Sequence, residues 1–293
     1  MEKISYQNNL HHILLHMIRI VFFHIFLIFP IVLNAQINNI AISQKLSMHS
    51  AVSDNSIDAI AILSNQAAAL SIDGLNYGML AEKKYLTNEL NQMIFFISKK
   101  YSKNGVTIIQ DYNGFSESYC MQTSFGFTKY ISDNTSLGLR FNYLFRHIKG
   151  NQNSKFIGSE ISLKKQLSKY VKTGLVIINP QSVFSKENNS FNETNFYFKW
   201  GFLYDVSKQF YLFLDLMKPE RGQLGLVGGC TYSFNKKVDA MYSFSFQEMS
   251  NRLSLGFNIK KMKIKLMNSF HPQLGYSPSI MLLSNLNNKI IIN

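Results

Sequence analysis

The stretch MYSFSFQEMSNRLSLGFNIKKMKIKLMNSF, residues 241–270, decides the fold. Tyr242, Phe244 and Phe246 alternate with Ser243, Ser245 and Gln247. Leu253, Leu255, Phe257 and Ile259 then alternate with Arg252, Ser254, Gly256, Asn258 and Lys260. Met262, Ile264 and Leu266 do the same with Lys261, Lys263 and Lys265. Successive side chains of a strand point to opposite faces, so a period of two gives each segment one apolar and one polar face. Segments of this kind joined by short breaks predict an antiparallel meander.

The pattern extends upstream almost to residue 75. In 136–146, Leu137, Leu139, Phe141, Tyr143 and Phe145 face one way, and Gly138, Arg140, Asn142 and Arg146 the other. In 195–204, Phe196, Phe198, Trp200, Phe202 and Tyr204 oppose Asn195, Lys199 and Gly201. About fourteen strands follow from this reading. They lie near 75–85, 91–101, 104–113, 119–130, 134–147, 156–168, 170–180, 192–206, 208–217, 222–234, 237–247, 250–260, 262–271 and 277–286. Strand 208–217 is apolar on both faces and is expected to pack over a helix. Lys103-Asn104-Gly105, Tyr112-Asn113-Gly114, Ser132-Asp133-Asn134 and Asn235-Lys236 read as tight turns, and residues 186–192 as a loop on the opposite rim.

Composition fits a chain that hides apolar side chains one at a time. Aromatics make up 14% of the 293 residues and charged residues only 16%, against roughly a quarter in ordinary globular proteins. The start reads as a targeting segment. Lys3 and Arg19 precede the apolar run of residues 20–33, and Leu33-Asn34-Ala35 before Gln36 reads as a cleavage site. The run falls short of the roughly 20 residues of a membrane-spanning helix, so the expected organisation is a signal peptide over 1–35 and an exported mature chain. An N-terminal segment over 36–74 carries the one good helical candidate, Ser56 to Leu70, with Ile57, Ile60, Ala61 and Ala68 at helical spacing and Ser53, Asp54 or Ser56 to cap it. The barrel strands take 75–286 and a tail 287–293.

Long alternating strands with short turns, one aromatic face and one polar face, after an export signal, predict an all-β antiparallel transmembrane barrel of the outer membrane. In lipid every backbone N–H and C=O must be paired within the protein, so a sheet that spans must close. A secreted sandwich would also alternate, but one sandwich core would not absorb this much aromatic surface. The N-terminal helical segment then becomes a plug for the lumen. Phe141 or Phe257 should face lipid, and polar substitutions at Asn142 or Ser254 should be tolerated.

A net charge of +13 does not point to nucleic acid in an exported chain, because the lysines are spread over many strands. Anionic lipid head groups and an anionic solute are the candidate partners, beside a plain compositional bias towards lysine that needs no partner. Arg140, Lys164, Lys199, Arg252, Lys263 and Lys265 fall on polar faces. They form a basic lumen lining, or internal ion pairs with Glu160 and Asp205, or stand exposed at the periplasmic end. Asp215, Glu160 and Glu248 sit singly in strands. His147 reads as a rim residue and His271, before Pro272, as part of a turn. His49, His147 and His271 have no partner at metal-ligand spacing, the serines lack a nucleophile-elbow context, and no glycine-rich phosphate loop is present. No cofactor and no enzymatic activity are expected. Cys120 and Cys230 read as packing residues, with a bridge between them left open.

Two stretches resemble a known group of barrels. AVSDNSIDAIAILSNQAAAL, residues 51–70, is similar to the A-V-x-x-x-D…N-P/Q-A-x-L opening of FadL-like and PorV/PorQ-like outer-membrane proteins, with Asn65, Gln66, Ala67 and Leu70 at the matching positions. SFHPQLGYSPSI, residues 269–280, resembles the last hairpin of the same group through His271, Pro272, Leu274, Gly275 and Ser277. TSLGLRFNYLFRHI and LVIINP add to the likeness, which runs over nearly all of the mature chain. Gln66 stands where the channel branch usually has Pro, and the chain ends NLNNKIIIN rather than in an aromatic. The resemblance implies a fourteen-stranded barrel with its N-terminal segment in the lumen. It implies one of two roles: passage of hydrophobic or amphipathic solutes, or a non-conducting accessory or attachment role with type IX secretion-system proteins.

Overall fold

The computed structural model describes residues 48–52, 60–71, 73–180, 196–220, 223–235, 237–247 and 249–285. The expected signal peptide, the helix caps at 53–56, Ile57, Glu248, the 186–192 loop and the 287–293 tail lie outside them. Fourteen strands follow one another: β1 (Leu75–Lys83), β2 (Asn91–Tyr101), β3 (Asn104–Phe115), β4 (Ser118–Ser132), β5 (Thr135–Ile148), β6 (Ser154–Gln166) and β7 (Val171–Ile178). The second half is β8 (Tyr197–Asp205), β9 (Phe210–Pro219), β10 (Gly225–Ser233), β11 (Val238–Ser245), β12 (Ser250–Ile259), β13 (Met262–His271) and β14 (Gly275–Asn285). Each pairs antiparallel with its neighbours, and β1 pairs with β14 from Asn76↔Asn285 to Glu82↔Ser279, which closes the ring. Every described strand is paired on both edges, the condition for a sheet in lipid.

The two faces of every strand have opposite fates. On the outside, Phe125 stands opposite Phe141 and Ile108 opposite Ile97, and all four are exposed. On the inside, Gly126 stands opposite Arg140 and Arg140 opposite Glu160, and the two charged side chains are sealed from solvent. An exposed apolar exterior around a buried polar interior inverts a soluble protein and is what a lipid-spanning barrel requires. No described helix is long and apolar enough to cross a membrane.

The two rims differ. One has the short links: Ser102-Lys103, Asp133-Asn134, Lys260-Lys261 and three turns of four residues. Ser102 and Lys260 there take the left-handed backbone that such turns demand. The other rim mixes short links, the two-residue Ser116-Glu117 among them, with the longest connections, including the span from Ile178 to Tyr197. Two expected turns fall elsewhere. Asn104-Gly105 lies inside β3, with the turn one step earlier, and β3 runs through Asn113-Gly114 to Phe115, where Gly114 has φ +126°. Gly114 takes that conformation beside the β3–β4 link, against Ser118 and Tyr119. At Gly105 the missing side chain leaves space, since an added Cβ would come to 3.1 Å from Leu70 Cδ2.

The described part of the N-terminal segment lies within the ring. It comprises the stretch Met48–Val52, α1 (Ile60–Ser64) and a 3-10 turn (Gln66–Ser71). The expected single helix to Leu70 is broken at Asn65. The Asn65 N–H closes α1 on the Ala61 carbonyl, and its side-chain Oδ1 accepts from the Ala67 N–H. An Asn side chain that serves the local backbone competes with continued helix.

Candidate functional site: the plugged lumen

The plug is tied to the wall residue by residue. Asn65 Nδ2 donates to the Ala51 carbonyl at 2.7 Å and to the Leu163 carbonyl of β6 at 3.3 Å. Gln66 Oε1 accepts from Thr107 Oγ1 (2.8 Å) and Arg140 Nε (3.2 Å), while its Nε2 donates to Thr128 Oγ1. Ala67 N donates to Ser162 Oγ and its carbonyl accepts from Ser136 Oγ. Tyr130 OH donates to the Leu70 carbonyl and Lys164 Nζ to Ser71 Oγ. The four sequence-picked plug residues therefore all touch the wall, spread over β3 to β6.

Arg140 does two jobs. Its guanidinium pairs with Glu160 at 3.2 Å and also donates to the plug carbonyls of Ile62 and Leu63. Lys199 pairs with Asp215 at 3.2 Å and donates to the His49 carbonyl, and Asp215 Oδ2 accepts from the Ala51 N–H. Arg252 meets Glu82, Ser269 and the Nε2 of His49. Lys263 pairs with Asp239 at 2.6 Å. Arg140, Lys199, Arg252 and Lys263 are thus ion-paired in the lumen, Arg140 with Glu160, while Lys164 reaches Ser71 of the plug and Lys265 is buried. Asp205 instead pairs with Lys172, and Asp215 and Glu160, single in the sequence, each sit beside a cation. Lone charges would be prohibitive in so dry a place, whereas paired and hydrogen-bonded ones persist.

Glycines let the plug come close. A Cβ on Gly174 would lie 2.5 Å from the Ala51 carbonyl oxygen, and one on Gly138 2.5 Å from Ala67 N. At Gly126 it would strike Gln66 Oε1 at 2.3 Å. The expectation that strand 208–217 packs over the helix is corrected: Asp215 of β9 holds Ala51, and Tyr211 packs against Ala51, Val52 and Leu203. The contact goes to the earlier stretch because Gly201, facing Asp215 across the β8–β9 pair, leaves room there.

Apolar patches line the rest. Ile60, Ile62, Leu63 and Ala69 of the plug pack on inward residues of β1–β3, β13 and β14, among them Leu80, Ile94, Phe96 and Met281. A second inward cluster joins Val176, Ile178, Tyr197, Phe213, Met217 and Val227 on β7–β10, towards the long-connection rim, and contains no described plug residue.

The remaining sequence-picked residues are peripheral. His271, Pro272 and Gly275 form the β13–β14 turn, where His271 Nδ1 accepts from the Gln273 and Leu274 N–H groups and Ser277 Oγ accepts from the Tyr85 N–H. His147 lies at the rim, bonded to Asn153. Cys120 and Cys230 are free, and alternation turns the first inward and the second outward, so no bridge links them. No group of three or more His, Cys, Asp or Glu among the described residues could hold a metal. Sequence reasoning missed His49, Glu82 and the glycine track. The last had a signal, a recurrent glycine on the polar face.

A closed fourteen-stranded antiparallel barrel, apolar outside and plugged inside, is an outer-membrane barrel fold. The monoaromatic hydrocarbon channel CymD is similar in structure, with a TM-score of 0.60 at 10% identity over 85% of this chain and 97% of that chain. The Pseudomonas putida toluene transporter TodX gives 0.56 at 8% identity over 80% and 96%. The Ralstonia pickettii toluene transporter TbuX gives 0.55 at 8% over 78% and 92%. At such identities the likeness is one of fold. No family model and no curated protein matches the sequence.

Proposed function

We propose that the chain is an outer-membrane channel for small hydrophobic or amphipathic molecules, exported by cleavage after Ala35 and held shut by its N-terminal segment. The observation that carries this reading is the inward apolar cluster of β7–β10. The wall of a water-filled pore is polar, so an apolar inner patch on the long-connection side suits an apolar solute. The fold shared with hydrocarbon channels supports it. Asn65, Gln66, Ala67 and Leu70 act as the plug's attachment points, and Arg140, Lys199 and Arg252 as its cationic clasps. The experiment is initial uptake of labelled toluene by cells carrying the protein in a porin-deficient outer membrane. Uptake should exceed that of cells without it and rise further when residues 48–71 are deleted. Unchanged uptake in both strains overturns the reading.

The fastened plug also suits the second role, a non-conducting accessory barrel of type IX secretion. Partner proteins recovered with the barrel from outer membranes, together with no uptake, would favour that role.

A further inference from the structure

The lysines scattered along the sequence are gathered by the fold. Every turn of the short-turn rim carries or adjoins an exposed lysine: Lys103 between β2 and β3, Lys129 near the end of β4, Lys169 between β6 and β7. Lys208, Lys237 and Lys261 serve the next three turns. None of these six joins an ion pair among the described residues. Asp73, Asp205 and Asp239 of that rim are engaged by Lys100, Lys172 and Lys263, which leaves Asp133 as the exposed acid outside a pair. The described part of the opposite rim is mixed: Lys149 pairs with Glu117, and exposed Glu89 and Glu220 accompany Lys218.

Aromatic side chains stand among the lysines. Tyr101, Tyr204 and Tyr232 are exposed on the outer face of their strands at this rim, and Tyr170 and Phe234 are exposed in its turns. The Lys169 ammonium lies 5.3 Å from the Tyr170 ring centre, and that of Lys99 4.6 Å from the Tyr101 ring centre. Outward aromatics of a barrel settle at the bilayer interface, so ammonium groups at their height stand level with lipid headgroups. A cationic face for a soluble acidic protein would have no need of that belt.

We propose that the short-turn rim is a binding surface for anionic phospholipid headgroups, with the six lysines as a ring of phosphate contacts. The proposal rests on the outer-membrane placement given above. Short turns lie on the periplasmic side of bacterial barrels, so the lipid is that of the inner leaflet. A phosphate near a surface lysine gains about 1 kcal/mol, or roughly fivefold in association, and salt screens the gain over about 10 Å.

The test uses the full chain refolded into phosphatidylcholine vesicles, with spin-labelled phosphatidylglycerol and spin-labelled phosphatidylcholine as probes of the lipid shell. At low salt the phosphatidylglycerol probe should associate about fivefold more strongly, falling towards parity at high salt. Exchanging all six lysines for glutamine should remove the preference, exchanging them for arginine should keep it, and Lys84, Lys149 and Lys218 to glutamine on the other rim should leave it intact. Heat-modifiable migration reports insertion independently, so failure to span the membrane is distinguishable from failure of the ring. Equal association of the two probes with an inserted barrel at low salt overturns the proposal. So does a preference that survives the six-glutamine change, or one lost with the opposite-rim set. If the glutamine variant does not insert, the salt dependence of the unmodified chain and the arginine variant decide.

Discussion

Gln66 occupies the place where the channel branch of the resembled family usually has proline, and it is the most connected side chain of the plug. It joins Thr107, Thr128 and Arg140 across three strands, and its carbonyl accepts from Thr128 as well. A proline would supply no such side chain. Arg140 is the other end of that network. Replacing it with alanine strands Glu160 in a sealed site and frees three plug contacts, and should cost about 3–5 kcal/mol, read as a lower midpoint of urea unfolding. Gly174 allows a sharper test, because the three nearest atoms to an added Cβ all belong to plug residues, Ala51 and Asn65. Gly174→Ala should destabilise the full chain by about 1–3 kcal/mol through overpacking and be near neutral in a chain lacking residues 48–71. Equal costs in the two backgrounds would mean that the glycine serves the wall rather than the plug.

Single strands obey a simpler rule. Phe141 lies in the middle of β5 with its ring exposed on the outer wall, so Phe141→Lys should cost about 2–4 kcal/mol near the bilayer midplane, measured by unfolding in lipid vesicles. The inward neighbours face a tighter environment than alternation alone implies. Ser254 is fully buried and Asn142 accepts a 2.6 Å bond from Ser124, so polar side chains larger than the present ones are expected to cost stability there. Strand number and most strand ends were legible from the sequence, because burial of one face against lipid enforces the period of two. The short-turn rim was also legible, except where Gly105 answers to the plug. What alternation could not reveal was which acid meets which base. Lys199 and Asp215 belong to different strands, and Gly201, directly across from Asp215, makes that meeting possible. His49 was illegible for a related reason: its neighbours Lys199 and Arg252 lie 150 and 203 residues away along the chain.

The whole molecule is closed by one pairing, the seven-residue register of β1 with β14. Nothing covalent holds that seam. A loop spanning nearly the whole described sheet must be brought together before its hydrogen bonds form, and such non-local pairing is slow. Residues 48–52 and 60–71 lie indoors once the seam is shut, so the ring resembles a purse drawn tight around a thread of its own chain. Anything caught outside when the string is pulled has to wait for the purse to reopen. Assembly therefore has an order: the thread must be tucked in first. A chain without residues 48–71 has nothing to tuck. In detergent it should reach the compact, heat-modifiable form faster than the full chain, even where its final stability is lower. Equal rates would mean that the thread finds its place after closure, through an end of the ring.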